Sequence, residues 1–144
     1  MLGENFLIPD FRQIRHSIKD IDDSYNNDWD LIAELCQNAV DAVRASDEEV
    51  GKIDLVINSN EKSIAITDNG IGIDPNDLPY LLKPFSSNKL GNDNSIGEKG
   101  VGLTYVMFSS NYFEIVSGTA LGSSKGVINN AYNWKNSSDE SGLN

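Results

Sequence analysis

Hydrophobic and polar positions alternate between helical and strand spacing along the chain, and each stretch predicts an element. From Pro9 to about Ile18, the residues Phe11, Ile14 and Ile18 recur at helical spacing, so a short helix is expected there. The run from Asp20 to Asp28 is polar and acidic and reads as a loop. The clearest helical pattern follows, from Asp28 to about Ala45. Leu31, Ile32, Leu35, Cys36, Ala39, Val40 and Val43 fill most of its circumference, and Asn27 or Asp28 is placed to cap it. A helix so apolar all round should be mostly buried. The spacing then changes to strand-like over Lys52–Asn58 and Ser63–Thr67, with Ile53, Leu55 and Ile57 facing one way and Asp54 and Asn58 the other. The polar Ser59-Asn60-Glu61-Lys62 between them reads as the turn of an antiparallel hairpin.

The second strand runs straight into Asp68-Asn69-Gly70-Ile71-Gly72, a glycine-rich bend. Asp74 as cap and Pro75 in the first turn predict a short helix ending near Leu82. From Lys83 to Gly100 the chain is rich in Gly, Ser and Asn without periodicity, a length of loop that usually serves as a lid or is disordered. A helix is expected over Val101–Ser109 and a third strand over Asn111–Ser117. After Gly118 the residues become small and polar, with one aromatic patch at Tyr132 and Trp134, and no further strand is predicted. Trp29, Tyr132 and Trp134 read as packing residues rather than ligands.

Composition narrows the picture. The 144 residues suffice for one compact domain, and 39% hydrophobic with 23% charged residues is an ordinary globular balance. The net charge of -11, with no basic cluster, speaks against this segment gripping a nucleic-acid backbone, which needs grouped Lys and Arg. An anionic nucleotide can still be held locally by backbone amides and one Lys. Cys36 is the single cysteine, and neither a basic leader nor an apolar run of membrane-spanning length is present. A reduced, cytoplasmic setting without a membrane partner is therefore expected.

Three clusters carry chemistry. Within ELCQNAVDA, Glu34, Asn38 and Asp41 sit at i, i+4 and i+7, on one helical stripe about 60° wide. Burying two carboxylates and an amide is costly without compensation, and Mg²⁺ with a polyphosphate would compensate. A solvated polar face is the plainer reading of that stripe taken alone. DNGIGI, Asp68 to Ile73, ends a strand: Gly70 and Gly72 permit positive φ and close backbone approach, and Asp68 can accept from an exocyclic amine such as that of adenine. Taken alone it is also an ordinary tight turn. In SIGEKGVGL, Ser95 to Leu103, the glycines Gly97, Gly100 and Gly102 leave amides free where a helix begins near Val101, and Lys99 adds a cation. That is a phosphate site by helix-terminus physics, or else a flexible glycine hinge.

Together, in this order and spacing, the three clusters resemble the ATPases of the gyrase, heat-shock chaperone, histidine kinase and MutL (GHKL) family. ELCQNAVDA looks like the family's N-box, DNGIGI its first glycine box and IGEKGVGL its second, with the first closest to the chaperone, MutL and MORC-like branches. The resemblance runs over roughly Asp28 to Ser117. It implies an α+β two-layer sandwich of the Bergerat type: a mixed, mostly antiparallel sheet covered on one face by helices, with ATP between helices and lid.

Carried over by position, the resemblance makes Glu34 the general base that activates water and Asn38 the Mg²⁺ ligand. Asp68 would read the adenine amine, Gly70 and Gly72 would admit the base, and Asp41 would organise the pocket. Gly97, Lys99, Gly100, Val101 and Gly102 would meet the phosphates, joined by Lys89 from the lid-like FSSNK segment. Implied partners are ATP or ADP, a second copy in a homodimer, and further C-terminal domains of a longer protein.

Two departures qualify the match. The family's later strand, whose Thr supports the adenine-binding Asp, is not found, and Thr119 lies too early for it, so a chain truncated at its C-terminal side is expected. His16 lies too close to Glu34 to be a phosphoacceptor in a separate hairpin and reads as a surface histidine. Slow Mg²⁺-dependent ATP hydrolysis driving lid closure and dimerisation is the leading expectation. A non-hydrolysing nucleotide sensor or a protein-interaction module is the alternative, which turnover of a Glu34→Ala variant would separate.

Overall fold

The computed structural model describes residues 10–84, 96–138 and 141–143, with the side chains of 96–100 left aside. Helix α1 spans Phe11–Ser24 and opens with a capping box: the Gln13 amide donates to Asp10 Oδ1 at 2.9 Å, and the Asp10 amide donates to Gln13 Oε1 at 2.9 Å. The helix runs through the acidic stretch expected to be a loop. A tertiary contact explains the extension, because Asp22 in its last turn receives the buried Lys135 Nζ at 2.9 Å. His16 is on the surface, as expected, 3.7 Å from Asp20 one turn on.

Helix α2, Asp30–Arg44, lies close to its expected bounds. Asn27 is engaged at its entry, accepting from the Trp29 amide at 3.0 Å, and no side chain caps the helix directly. Trp29 is exposed rather than packed. Of the residues of α2 only Ala39 is fully buried, and most of its apolar positions are half-buried, because β2 and α4 each cover one side of the helix.

Strands β1 (Ile53–Asn58) and β2 (Ser63–Asp68) pair antiparallel in the expected hairpin. Asn58 Oδ1 accepts from the amides of Asn60 and Glu61, and Lys62 takes a positive φ of 53° to close the turn. The short helix α3, Leu78–Leu81, follows the glycine bend. Helix α4, Ile96–Met107, begins five residues before the expected Val101.

Strand β3, Tyr112–Thr119, pairs with a strand not predicted, β4, Gly122–Asn129, and helix α5, Ala131–Lys135, comes after it. The α+β class holds. Both ladders among the described residues are antiparallel and form two separate two-stranded sheets, where one mixed sheet was expected.

The core lies among α1, the C-terminal end of α4, the β3–β4 hairpin and α5. Ile18, Met107, Phe108, Ala131 and Trp134 are buried there, with Leu103, Phe113 and Ile128 against them. Arg15 stacks its guanidinium 4.4 Å over the Trp134 ring and donates to the Trp134 carbonyl at 3.0 Å. Trp134 is thus a packing residue, while Tyr132 is largely exposed.

Candidate functional site

The polar stripe lies on α2, which packs against β2 and α4. Glu34, Asn38 and Asp41 are all half-buried along it. Glu34 Oε1 accepts from the Tyr25 hydroxyl at 2.8 Å. On its other side lies α4, where Gly102 is buried and a Cβ would collide with Glu34 Oε2, so the absence of a side chain makes room for the carboxylate. Asp41 Oδ1 accepts from the exposed Gln37 amide at 3.0 Å, one turn earlier on the same helix.

The glycine bend is stitched to the next turn of α2. The Ile71 amide donates to the Ala42 carbonyl at 2.9 Å, and a side chain at Gly70 would overlap the Ala42 backbone. Close helix packing therefore accounts for Gly70. Gly72 has the positive φ expected, 74°, and sits against the Gly118 carbonyl. Asp68 ends β2, exposed, and turns the chain by accepting from the Gly70 amide at 2.8 Å. Asn69, for which no role was read in the sequence, accepts from the Lys52 amide at 2.7 Å and donates to the Val50 carbonyl at 2.9 Å, clamping the α2–β1 connection. Ser117 was also missed: its Oγ accepts from the Ile73 amide at 2.8 Å and ties the bend to β3. Thr119 Oγ1 instead accepts from Leu121 within the β3–β4 turn.

The second glycine motif is placed differently from the expectation. With α4 starting at Ile96, Gly97 and Lys99 fall in its first turn, where amides lack partners within the helix. Gly100, Val101 and Gly102 lie further inside it. Lys89 lies outside the described residues, as does the side chain of Lys99. A cleft of about 590 Å³ opens at the C-terminal end of α2, lined by Ser46, Glu49, Lys52, Asn69, Gly70 and Ile71 among others. It shares Gly70 with the expected site but not the α2 stripe.

Tyr25, the donor to Glu34, is backed by a second tyrosine. The rings of Tyr25 and Tyr105 stack with centroids 3.9 Å apart and planes 10° from parallel. Burial, then the hydrogen bond to Glu34, pushes the Tyr25 hydroxyl well above its ordinary range, so it stays protonated and remains a donor. Tyr105 is raised too, by burial first and then by the charges of Asp22 and Asp30. Among the described residues no group of three or more His, Cys, Asp or Glu side chains could hold a metal ion. No helix among them is long and apolar enough to cross a membrane.

Residues 29–122, more than half of the chain and including all of α2, both glycine motifs and β3, match the family described as "Histidine kinase-, DNA gyrase B-, and HSP90-like ATPase". The chain belongs to that ATPase family. It is similar to the chaperone protein HtpG of Campylobacter jejuni subsp. doylei, with 32% identity over 82% of this chain and 22% of the chaperone. An HtpG of Campylobacter jejuni subsp. jejuni serotype O:23/36 shares 31% identity over the same fractions. The MutL protein homolog 1 of Schizosaccharomyces pombe is 41% identical over 45% of this chain, though only 9% of its own length. The chain thus spans about a fifth or less of the curated relatives it matches. No solved structure matches at a significant level.

Proposed function

We propose that this chain binds Mg²⁺·ATP between α2 and α4 and hydrolyses it slowly, driving lid closure and dimerisation of a larger multidomain protein. The observation that carries this reading is the α2 stripe. Glu34, Asn38 and Asp41 share one half-buried face, and the glycine bend is bonded to the adjoining turn through Ile71 and Ala42. Asp68 ends β2 with one carboxylate oxygen turning the chain, and its other oxygen would accept from an adenine amine.

The donor set fits a hard cation. Asn38 offers one amide oxygen on the same helical stripe as the carboxylates of Glu34 and Asp41, the oxygen type that Mg²⁺ favours. Asn38 would hold the Mg²⁺, whose chemistry there is to neutralise phosphate charge. Glu34 takes a proton from the attacking water as the new P–O bond forms and the bond to the ADP oxygen breaks. Gly97 and Lys99, in the first turn of α4, would meet the phosphates, with Gly100, Val101 and Gly102 behind them, and Lys89 would be a further phosphate contact.

The decisive test is single-turnover hydrolysis by wild type and Glu34→Ala, with nucleotide affinity measured on both. Loss of turnover with affinity kept supports the reading. Equal turnover in the two proteins would remove Glu34 as the base. Bound nucleotide that is never hydrolysed by wild type would favour a nucleotide-sensing module.

A further inference from the structure

Glu34 is held by more than its own helix. Tyr25 lies in the short connection between α1 and α2, where its amide donates to the Asp22 carbonyl at 3.2 Å as the C-cap of α1. Its ring is pinned face to face on Tyr105 of α4, with 3.9 Å between centroids. A backbone fixed at one end and a ring fixed by stacking leave the hydroxyl little freedom. It points at Glu34 Oε1 from 2.8 Å. On the far side, Gly102 of the same α4 leaves just enough space for Oε2. The carboxylate is thereby held between a hydroxyl and a helix backbone, and among the described residues only Oε1 accepts a hydrogen bond.

We infer that Tyr25 is a positioning residue for ATP hydrolysis, holding the Glu34 carboxylate in the orientation from which its Oε2 takes the proton of the attacking water. The inference rests on Glu34 acting as the general base. Burial and the neighbouring carboxylate keep the Tyr25 hydroxyl protonated, so it donates and does not compete for that proton. Because α1, α2 and α4 meet at this contact, the orientation of the base also depends on how α4 sits against the α1–α2 connection.

Tyr25→Phe removes the hydroxyl and keeps the ring stack, which makes it the informative variant. A positioned base contributes roughly 100- to 10,000-fold to rate, and loss of its orienting partner should forfeit about tenfold or more of that. The expected result is a fall in kcat of about that size with the Kd for Mg²⁺·ATP unchanged. In a Glu34→Gln background the same substitution should change neither quantity, because nothing remains to be oriented. A purely structural role would instead weaken nucleotide binding and act equally in both backgrounds, and that pattern would overturn the inference. So would wild-type turnover in Tyr25→Phe. Full turnover in Glu34→Gln alone, or none in wild type that binds nucleotide, would overturn the general-base reading itself and this inference with it.

Discussion

Gly102 sits inside α4, where glycine is normally a liability, so replacing it with alanine separates two opposing effects. In a helix interior the change gains about 1 kcal/mol of intrinsic stability. The new methyl group would lie on Glu34 Oε2. That oxygen is the far end of a flexible side chain, so the overlap is relieved by swinging the carboxylate away. Swinging it breaks the hydrogen bond from Tyr25 Oη to Glu34 Oε1. A hydrogen bond to a charged group contributes about 1.5–3 kcal/mol, and the half-buried setting of both partners argues for the lower end. Gly102→Ala in the wild-type background should therefore lose about 0.5 kcal/mol net. In a Glu34→Ala background, where neither overlap nor bond exists, it should gain about 1 kcal/mol. The sign reverses, with a coupling of about 1.5 kcal/mol. Urea denaturation of the four proteins in this double-mutant cycle measures it directly. If Gly102→Ala has the same effect in both backgrounds, the packing of α4 against Glu34 is not as described.

The buried ion pair between α1 and α5 gives a second prediction. Lys135 is 1% exposed and its Asp22 partner's side chain 38% exposed, so Asp22→Ala strands an ammonium in the core with only partial access to water. Stranding a fully buried partner costs about 3–5 kcal/mol, and the exposure of Asp22 reduces the expected loss to about 2 kcal/mol. Lys135→Met, which removes the charge at similar length, should be the milder change, and thermal melts showing the reverse order would contradict the assignment. A third concerns alkaline pH. The folded state raises the Tyr25 pKa above the unfolded value near 10, so the proton is held more tightly when folded. Its stabilisation is whole below about pH 10 and declines as pH rises beyond that, because the unfolded chain then releases the proton first. The stability difference between wild type and Tyr25→Phe should accordingly be larger at about pH 8 than at about pH 11, and a difference that stays level or grows would refute the assignment.

Much of this architecture was legible in the residues because it is encoded locally. The apolar spacing of α2, the alternation of β1 and the turn residues Asn58 to Lys62 each specify their element without distant help. The parts that were not legible depend on remote partners. The last turns of α1 are polar and read as a loop, and the residue that justifies them, Lys135, lies 113 positions away. Strand β4 escaped because its inward positions include Ser124 and Gly126, residues too small to mark a strand, and Gly126 is small because Leu82 packs onto it. The glycines of α4 suggested an irregular segment, whereas Gly102 is inside a helix to make room for a carboxylate from another element. Within the candidate site, spacing alone singled out the α2 stripe and the glycine bend, while it gave no sign of the contacts that Ser117 and Tyr25 make. Both act through contacts that no local pattern announces: Ser117 with an amide 44 positions away, and Tyr25 through its stack on Tyr105.

The proposed binding of an adenine nucleotide is tested most directly by the melting temperature with Mg²⁺·ATP, with Mg²⁺·ADP and without nucleotide, in wild type and Asp68→Asn. A ligand that binds only the folded state at 100 times its Kd stabilises by about 2.7 kcal/mol. At a chain length of 144 residues this corresponds to a rise of roughly 10 °C. Such a rise is expected in wild type and its loss in Asp68→Asn, whose amide would present a donor toward the adenine amine. A wild-type melting temperature indifferent to both nucleotides, or a rise that Asp68→Asn leaves intact, would contradict it.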